Sequence, residues 1–123
     1  MFDHISLQVT DVHASAAFYE AVLAPLDIRL GVDDGTVIAF FGPDNSALWL
    51  SPAQRADDRE LHMAFAAGNR EVVRAFHQAA VDIGAEVLHP PRIFPEYDVN
   101  YFGAFVRDPD GHNIEAVCRE AEG

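Results

Sequence analysis

Apolar and polar residues alternate from the start of the chain. Ile5, Leu7 and Val9 fall on one side of the run from Phe2 to Val9, and His4, Ser6 and Gln8 fall on the other, which is the period of a half-buried strand. The spacing then becomes helical: Ala14, Phe18, Ala21, Val22 and Leu23 form an apolar stripe, with Asp11 or Ser15 placed to accept from the free amides of the first turn. Pro25 ends that helix, because proline cannot continue the ladder and restricts the residue before it. Ile28 to Val32, Val37 to Phe41 and Ala47 to Leu50 read as three short strands, broken by Asp33-Asp34-Gly35 and Gly42-Pro43-Asp44-Asn45, which have turn composition.

The order then repeats. A strand from Leu61 to Ala66 is followed by a helix from about Asn69 to Ile83 with Gly84 as its stop, a strand from Glu86 to Leu88 and a strand from Tyr101 to Val106. The turn Asp108-Pro109-Asp110-Gly111 leads to a last strand from His112 to Cys118. The polar stretch Ser51 to Arg59 has no apolar period and separates the copies, giving a first module over about residues 1–52, a linker over 53–59 and a second module over about 60–119 of one 123-residue domain. Equivalent positions carry related residues. His4 and His62 stand near the start of each copy, and Phe18 and Phe76 follow 14 residues after each histidine. Six residues after Pro43 and Pro109 stand Trp49 and Glu115. The second copy is eight residues longer between these marks (53 against 45), which assigns the segment His89 to Asp98 to an inserted loop, a candidate lid.

A βαβββ unit has a helix on one face of its sheet and nothing on the other, so two units must cover each other. The fold class is therefore α+β: two βαβββ modules forming a curved mixed sheet around a central cleft, with the helices outside. Such a twofold repeat draws His4, His62 and Glu115 toward its centre, and two imidazoles with one carboxylate read as a divalent-metal site with open positions for water and substrate.

Composition removes other classes. The formal charge of −12, from 8 basic and 20 acidic residues, repels phosphate backbones and anionic lipid, so neither nucleic acid nor a membrane surface is expected as a partner. One cysteine, Cys118, excludes an intrachain disulfide framework and suits a reducing compartment. With no long apolar run and no basic leader before Met1-Phe2-Asp3-His4, the expected location is cytoplasmic. No nucleophile–base pair or glycine-rich phosphate loop occurs.

Asp3-His4-Ile5, Ala17-Phe18-Tyr19-Glu20, Leu61-His62-Met63-Ala64-Phe65 and the run Phe105 to Glu115 make the chain resemble the vicinal oxygen chelate superfamily, also called the glyoxalase, bleomycin-resistance and dioxygenase superfamily. The resemblance extends over essentially the whole chain, with the last run similar to a bacterial glyoxalase-like subgroup. It implies metal ligands at His4, His62 and Glu115, with Trp49 at the fourth ligand position. Indole cannot ligate, so a glyoxalase I mechanism in which that ligand helps move the substrate proton is disfavoured. Extradiol cleavage keeps two histidines and a glutamate, but the tyrosine such enzymes carry about ten residues before the glutamate is Phe105 here.

The resemblance thus implies a metal-dependent glyoxalase-like enzyme acting on a small oxygen-bearing substrate, a lyase or isomerase ahead of a ring-cleaving dioxygenase, using Fe, Mn, Zn, Ni or Co. The alternative is a drug- or metabolite-sequestering protein of the bleomycin-resistance type. Glu115 and Tyr101 are candidate catalytic groups, and Trp49, Arg92, Tyr97 and Tyr101 candidate pocket residues; Arg107 is a second candidate for a substrate carboxylate. A homodimer is expected. If modules are exchanged between copies, His4 of one chain meets His62 and Glu115 of the other. His13, His77 and His89 are expected at the surface or its boundary, His112 pointing to solvent, and Cys118 packed on the helix side. Asp108-Pro109-Asp110-Gly111 reads as a turn without chemistry.

Overall fold

The computed structural model describes residues 3–44, 46–53 and 61–121, so the expected linker lies outside the described residues from position 54 onward. In chain order the elements are β1 (His4–Val9), α1 (Val12–Leu23), a 3-10 turn (Ala24–Leu26), β2 (Arg29–Asp33), β3 (Ile38–Phe41), β4 (Ala47–Pro52), β5 (His62–Ala66), α2 (Arg70–Asp82), β6 (Val87–Ile93), β7 (Phe102–Arg107) and β8 (Asn113–Cys118). They form two four-stranded mixed sheets, ordered β1-β4-β3-β2 and β5-β8-β7-β6. In each, the first and last strands of the module pair parallel and the other pairs are antiparallel. The α+β class and the two βαβββ modules are those the apolar periods predict.

Local chemistry sets the ends of the elements. Asp11 caps α1 by accepting from the Ala14 amide at 3.1 Å, and Asn69 caps α2 by accepting from the Val72 amide at 3.0 Å. Pro25 does not simply stop α1 but tightens its end into the 3-10 turn. Gly84, at φ 77°, ends α2 in the left-handed conformation, and its amide donates to the Val81 carbonyl at 3.0 Å. One element departs from expectation: β6 runs on through Pro90 and Pro91 to Ile93, into the segment assigned to a loop. It can do so because β6 is the edge of its sheet, where proline deprives no ladder of a donor, and its register shifts between His89 and Arg92. The inserted residues without strand structure are thus confined to 94–101.

One face of each sheet lies against its own helix, and α1 and α2 lie against each other. Leu7, Val9, Val22, Leu23, Phe40 and Leu50 of the first module join Phe65, Phe76, Ile114 and Cys118 of the second in a single buried cluster. Each such side chain contributes about 1.5–3 kcal/mol by leaving water. Each helix covers the face opposite its module's histidine, as the alternation requires. Because the helices meet, however, the histidine-bearing faces of one chain turn outward, and the two sheets do not close into a barrel. No helix among the described residues is long and apolar enough to cross a membrane.

The Asp-Pro-Asp-Gly turn, expected only to set register, clamps the modules together. Asp108 is 5% exposed, and its Oδ1 accepts from the amides of Asp110 at 3.0 Å and His112 at 2.8 Å. Its Oδ2 accepts from the hydroxyl of Tyr19, a fully buried α1 residue, at 2.7 Å. Asp110 accepts from the Thr10 amide at 3.1 Å and from the Thr10 hydroxyl, at the start of α1. His112, expected to point to solvent, is half-buried, and its Nδ1 accepts from the Leu61 amide at 3.0 Å, tying β8 to the approach of β5. Burial, and then the nearby Asp108 charge, hold the Tyr19 phenol well above its usual pKa of 10.0.

Asp108→Ala leaves a buried phenol and two amides without their acceptor and should cost roughly 2–4 kcal/mol in denaturant unfolding. Tyr19→Phe leaves Asp108 its amide donors and should cost about 1 kcal/mol. Folded Tyr19 keeps its proton to higher pH than the unfolded chain, so the stability it lends is complete below about pH 10 and falls as pH rises toward the folded value. The melting temperature of the wild type should therefore drop more steeply than that of Tyr19→Phe between about pH 9.5 and 11.5.

Candidate metal centre

Strand register makes the two histidines equivalent. His4 pairs with Ala47 and Ser6 with Trp49 between β1 and β4; His62 pairs with Asn113 and Ala64 with Glu115 between β5 and β8. Partners in register project to the same side of a sheet, so His4 and Trp49 share one open face and His62 and Glu115 the other.

On the second face a polar group is assembled. His62 Nε2 lies 2.9 Å from Glu115 Oε1, with the imidazole side chain 52% exposed and the glutamate 1%. The Tyr101 hydroxyl donates to Glu115 Oε2. Burial, followed by this hydrogen bond, raises the Tyr101 phenol pKa above its ordinary value. A carboxylate this far from water needs its lone pairs engaged, and both oxygens are. Gly103, on β7 beside Glu115, leaves the room: a Cβ there would come within 3.3 Å of Tyr101 Cε1 and 3.5 Å of Glu115 Oε2.

An aromatic layer covers the group. Phe94, Tyr101, Phe105 and Val117 form a small buried cluster separate from the main core. The Phe94 amide donates to the Tyr101 carbonyl at 2.8 Å and the Tyr97 amide to the Phe94 carbonyl at 3.0 Å, folding residues 94–101 back over their own sheet. Phe105, opposite Glu115 on β7, stands 5.9 Å from the His62 ring.

The other expected pocket residues are placed differently. Tyr97 is 62% exposed and stacks on Phe94 at 5.7 Å, on top of the loop rather than beneath it. Arg92 lies 3.7 Å above the Phe94 ring, donates to the Ile93 carbonyl at 2.8 Å and lies 3.9 Å from Glu96, so it braces the loop. Arg107 faces Glu86 at 3.5 Å, beside a cavity of about 450 Å³ between α1, the end of α2 and the Asp108 turn, on the helix side. Trp49 is half-buried with its ring edge-on to Phe41 at 6.1 Å, an aromatic wall on the first module's open face.

His4 does not join His62 and Glu115 within one chain. It is exposed, with Nδ1 2.7 Å from Asp3 Oδ1. Among the described residues, no three of histidine, cysteine, aspartate and glutamate group closely enough to hold a metal ion. The pair that does form suits an ion: two ligands at about 2.1 Å in adjacent octahedral positions stand about 3 Å apart, close to the separation of Nε2 and Oε1. Reasoning from sequence missed Gly103, Phe94 and the folding back of the loop. A glycine inside the apolar strand Tyr101 to Val106 is the signal that marks a close approach there.

Residues 1–116 match the family model described as Glyoxalase/Bleomycin resistance protein/Dioxygenase superfamily. No curated protein matches the sequence. Among solved structures, a glyoxalase/bleomycin resistance protein from Albidiferax ferrireducens T118 is similar at 27% identity and TM-score 0.81, over 95% of this chain and 98% of that one. A lactoylglutathione lyase from Agrobacterium tumefaciens is similar at 20% identity and TM-score 0.73, over 96% and 92%. A glyoxalase/dioxygenase from Nostoc punctiforme is similar at 23% identity and TM-score 0.72, over 97% and 90%.

Gly103→Val should displace the Tyr101–Glu115 pair and cost roughly 2–3 kcal/mol in urea unfolding, through overpacking against a buried polar contact. Gly68→Val, at a position with nothing within 4 Å of a Cβ, should cost less than about 0.5 kcal/mol.

Proposed function

We propose, from the premise that this chain belongs to the Glyoxalase/Bleomycin resistance protein/Dioxygenase superfamily, that it is a metal-dependent enzyme whose centre takes His62 and Glu115 from one copy and His4 from a second. The observation that carries the reading is the 2.9 Å approach of a half-exposed imidazole to a carboxylate on the open face of the second module. His4 stands at the equivalent register on the open face of the first. The two faces of one chain turn apart because α1 and α2 meet. A second copy related by a dyad would set the first module's face against the second module's face twice over, giving two identical centres.

When bound, the divalent ion (Fe, Mn, Zn, Ni or Co) supplies Lewis-acid polarisation of a substrate oxygen. His62, Glu115 and His4 would hold it, and with three protein ligands it would keep positions open for a small substrate presenting oxygens. Tyr101 holds a proton on the phenol oxygen beside Glu115. Phe94, Phe105 and Val117 exclude water from the back of the carboxylate. Trp49 walls the opposite side with a ring that cannot ligate. A lyase or isomerase is favoured over a ring-cleaving oxygenase, since Phe105 offers no proton where an extradiol enzyme needs one. Buried, unpaired Cys118 suits a reducing, cytoplasmic location.

One observation favours a second reading, metal-free sequestration of a drug or metabolite. Both Glu115 oxygens already have protein partners, and a satisfied cluster needs no ion. A thermal-shift series separates the two. Stabilisation by a divalent metal that vanishes in His62→Ala supports the enzyme, whereas stabilisation by cationic glycopeptides that survives in His62→Ala supports sequestration.

The composite centre has its own test. His4→Ala and His62→Ala should each lose at least about tenfold in metal affinity. Refolded together in equal amounts, they should regain about a quarter of the wild-type sites, since half the dimers are mixed and each mixed dimer has one intact centre. Elemental analysis finding no metal in the wild type, with no uptake on titration, would sink the metal reading. Uptake by the wild type with no recovery in the mixture would sink the shared centre.

A further inference from the structure

We infer that Tyr101 is a positioning residue that makes Glu115 a one-oxygen metal ligand: its phenol occupies Oε2, so that Oε1 alone is presented beside His62. The inference rests on the metal-dependent reading above and assigns Tyr101 a role other than proton transfer.

Three features hold the phenol where it is. Its ring packs edge-on against Phe94 at 6.2 Å and Tyr97 at 5.1 Å, and the Arg119 guanidinium lies 4.9 Å from its centre. Arg119 is itself 3.8 Å from Asp98 in the folded-back loop. Gly103 provides the gap in which phenol and carboxylate meet. Tyr101 is 8% exposed, which leaves its hydroxyl little alternative to Glu115 as a partner. The two oxygens of Glu115 are thereby distinguished: Oε2 is turned under the aromatic layer and Oε1 toward the half-exposed imidazole. Without the phenol, both oxygens would be free to swing toward one cation, and the carboxylate would chelate with both. Hydrogen bonds to ligating side chains fix their orientation in this way, and their loss typically lowers metal affinity 10–100-fold.

The experiment loads wild type, Tyr101→Phe and Tyr97→Phe with Zn(II) or Co(II). It measures affinity by competition with a chromophoric chelator and the carboxylate stretches by metal-loaded minus metal-free infrared difference spectra. Tyr101→Phe keeps the ring and should lose about 10–100-fold in affinity. Its separation between antisymmetric and symmetric carboxylate stretches should narrow as Glu115 changes from one-oxygen to two-oxygen binding, a readout that a packing role would not move. Tyr97→Phe should match the wild type in both. Wild-type affinity and an unchanged stretch separation in Tyr101→Phe would overturn the inference while leaving the metal reading standing; absence of metal uptake by the wild type would overturn both. If Tyr101→Phe does not fold, the wild-type difference spectrum decides: a wide stretch separation marks one-oxygen binding by Glu115, and a narrow separation, marking two-oxygen binding, would overturn the inference.

Discussion

A carboxylate withdrawn almost wholly from water imposes conditions on everything near it, and Glu115 is such a group. Removing an unpaired carboxylate from water costs several kcal/mol, so each of its oxygens must find a donor. His62 answers one and Tyr101 the other. The first condition fixes which face of β5 must be open, because His62 reaches Glu115 only from the side opposite Met63 and Phe65. The second condition determines the course of residues 94–101, which fold back so that Tyr101 arrives over the sheet. Gly103 eases the approach, since a Cβ there would press within 3.3 Å of the Tyr101 ring and lie 3.5 Å from Glu115 Oε2. Phe94 and Phe105 then close the back of the group and make its hydrogen bonds stronger by excluding water.

The same logic of satisfied burial joins the modules. Tyr19 is fully buried at the helix layer, and its hydroxyl needs an acceptor that α1 cannot supply. Asp108 supplies it from the other module while holding its own turn together through two amides. Asp110 repeats the arrangement at the start of α1 through Thr10. With the helices packed together and latched by these polar contacts, the sheets are held on opposite sides of the helix layer. The price is that each histidine-bearing face is left without a cover from its own chain. Pairing of copies, as in the proposed centre, would cover two such faces at once and bring His4 to His62 and Glu115.

The two open faces are not equivalent in chemistry. One carries a carboxylate under an aromatic layer; the other carries Trp49 and Phe41 at the corresponding place. The two modules carry an imidazole at the same strand position and differ at the partner position, which gives one half donor atoms and the other a flat apolar wall. One open face thus offers polar atoms and the other an aromatic surface, the combination that orients a small ligand where the two are brought together.

Much of this was legible in the sequence because its causes are local. Period-two and period-3.6 patterning set the strands and helices, Asp11, Asn69 and Gly84 marked helix ends, and the repeat of His4 and His62 with their matching intervals showed two modules of one topology. The identity of the open faces followed from the parity of His62 and Glu115 with their apolar neighbours. Other features depend on groups far apart in the chain, which no local pattern records. Pro90 and Pro91 sit in a strand because β6 ended up at an edge. His112 is half-buried and accepts from the Leu61 amide, 51 residues away in the chain. Arg92 and Tyr97 brace a loop rather than reach beneath it because Phe94 was there to receive them. Periodicity determined which side each residue takes, since that depends only on backbone geometry; which sides meet was decided by packing between α1 and α2, a matter of surfaces that exist only once the chain has folded.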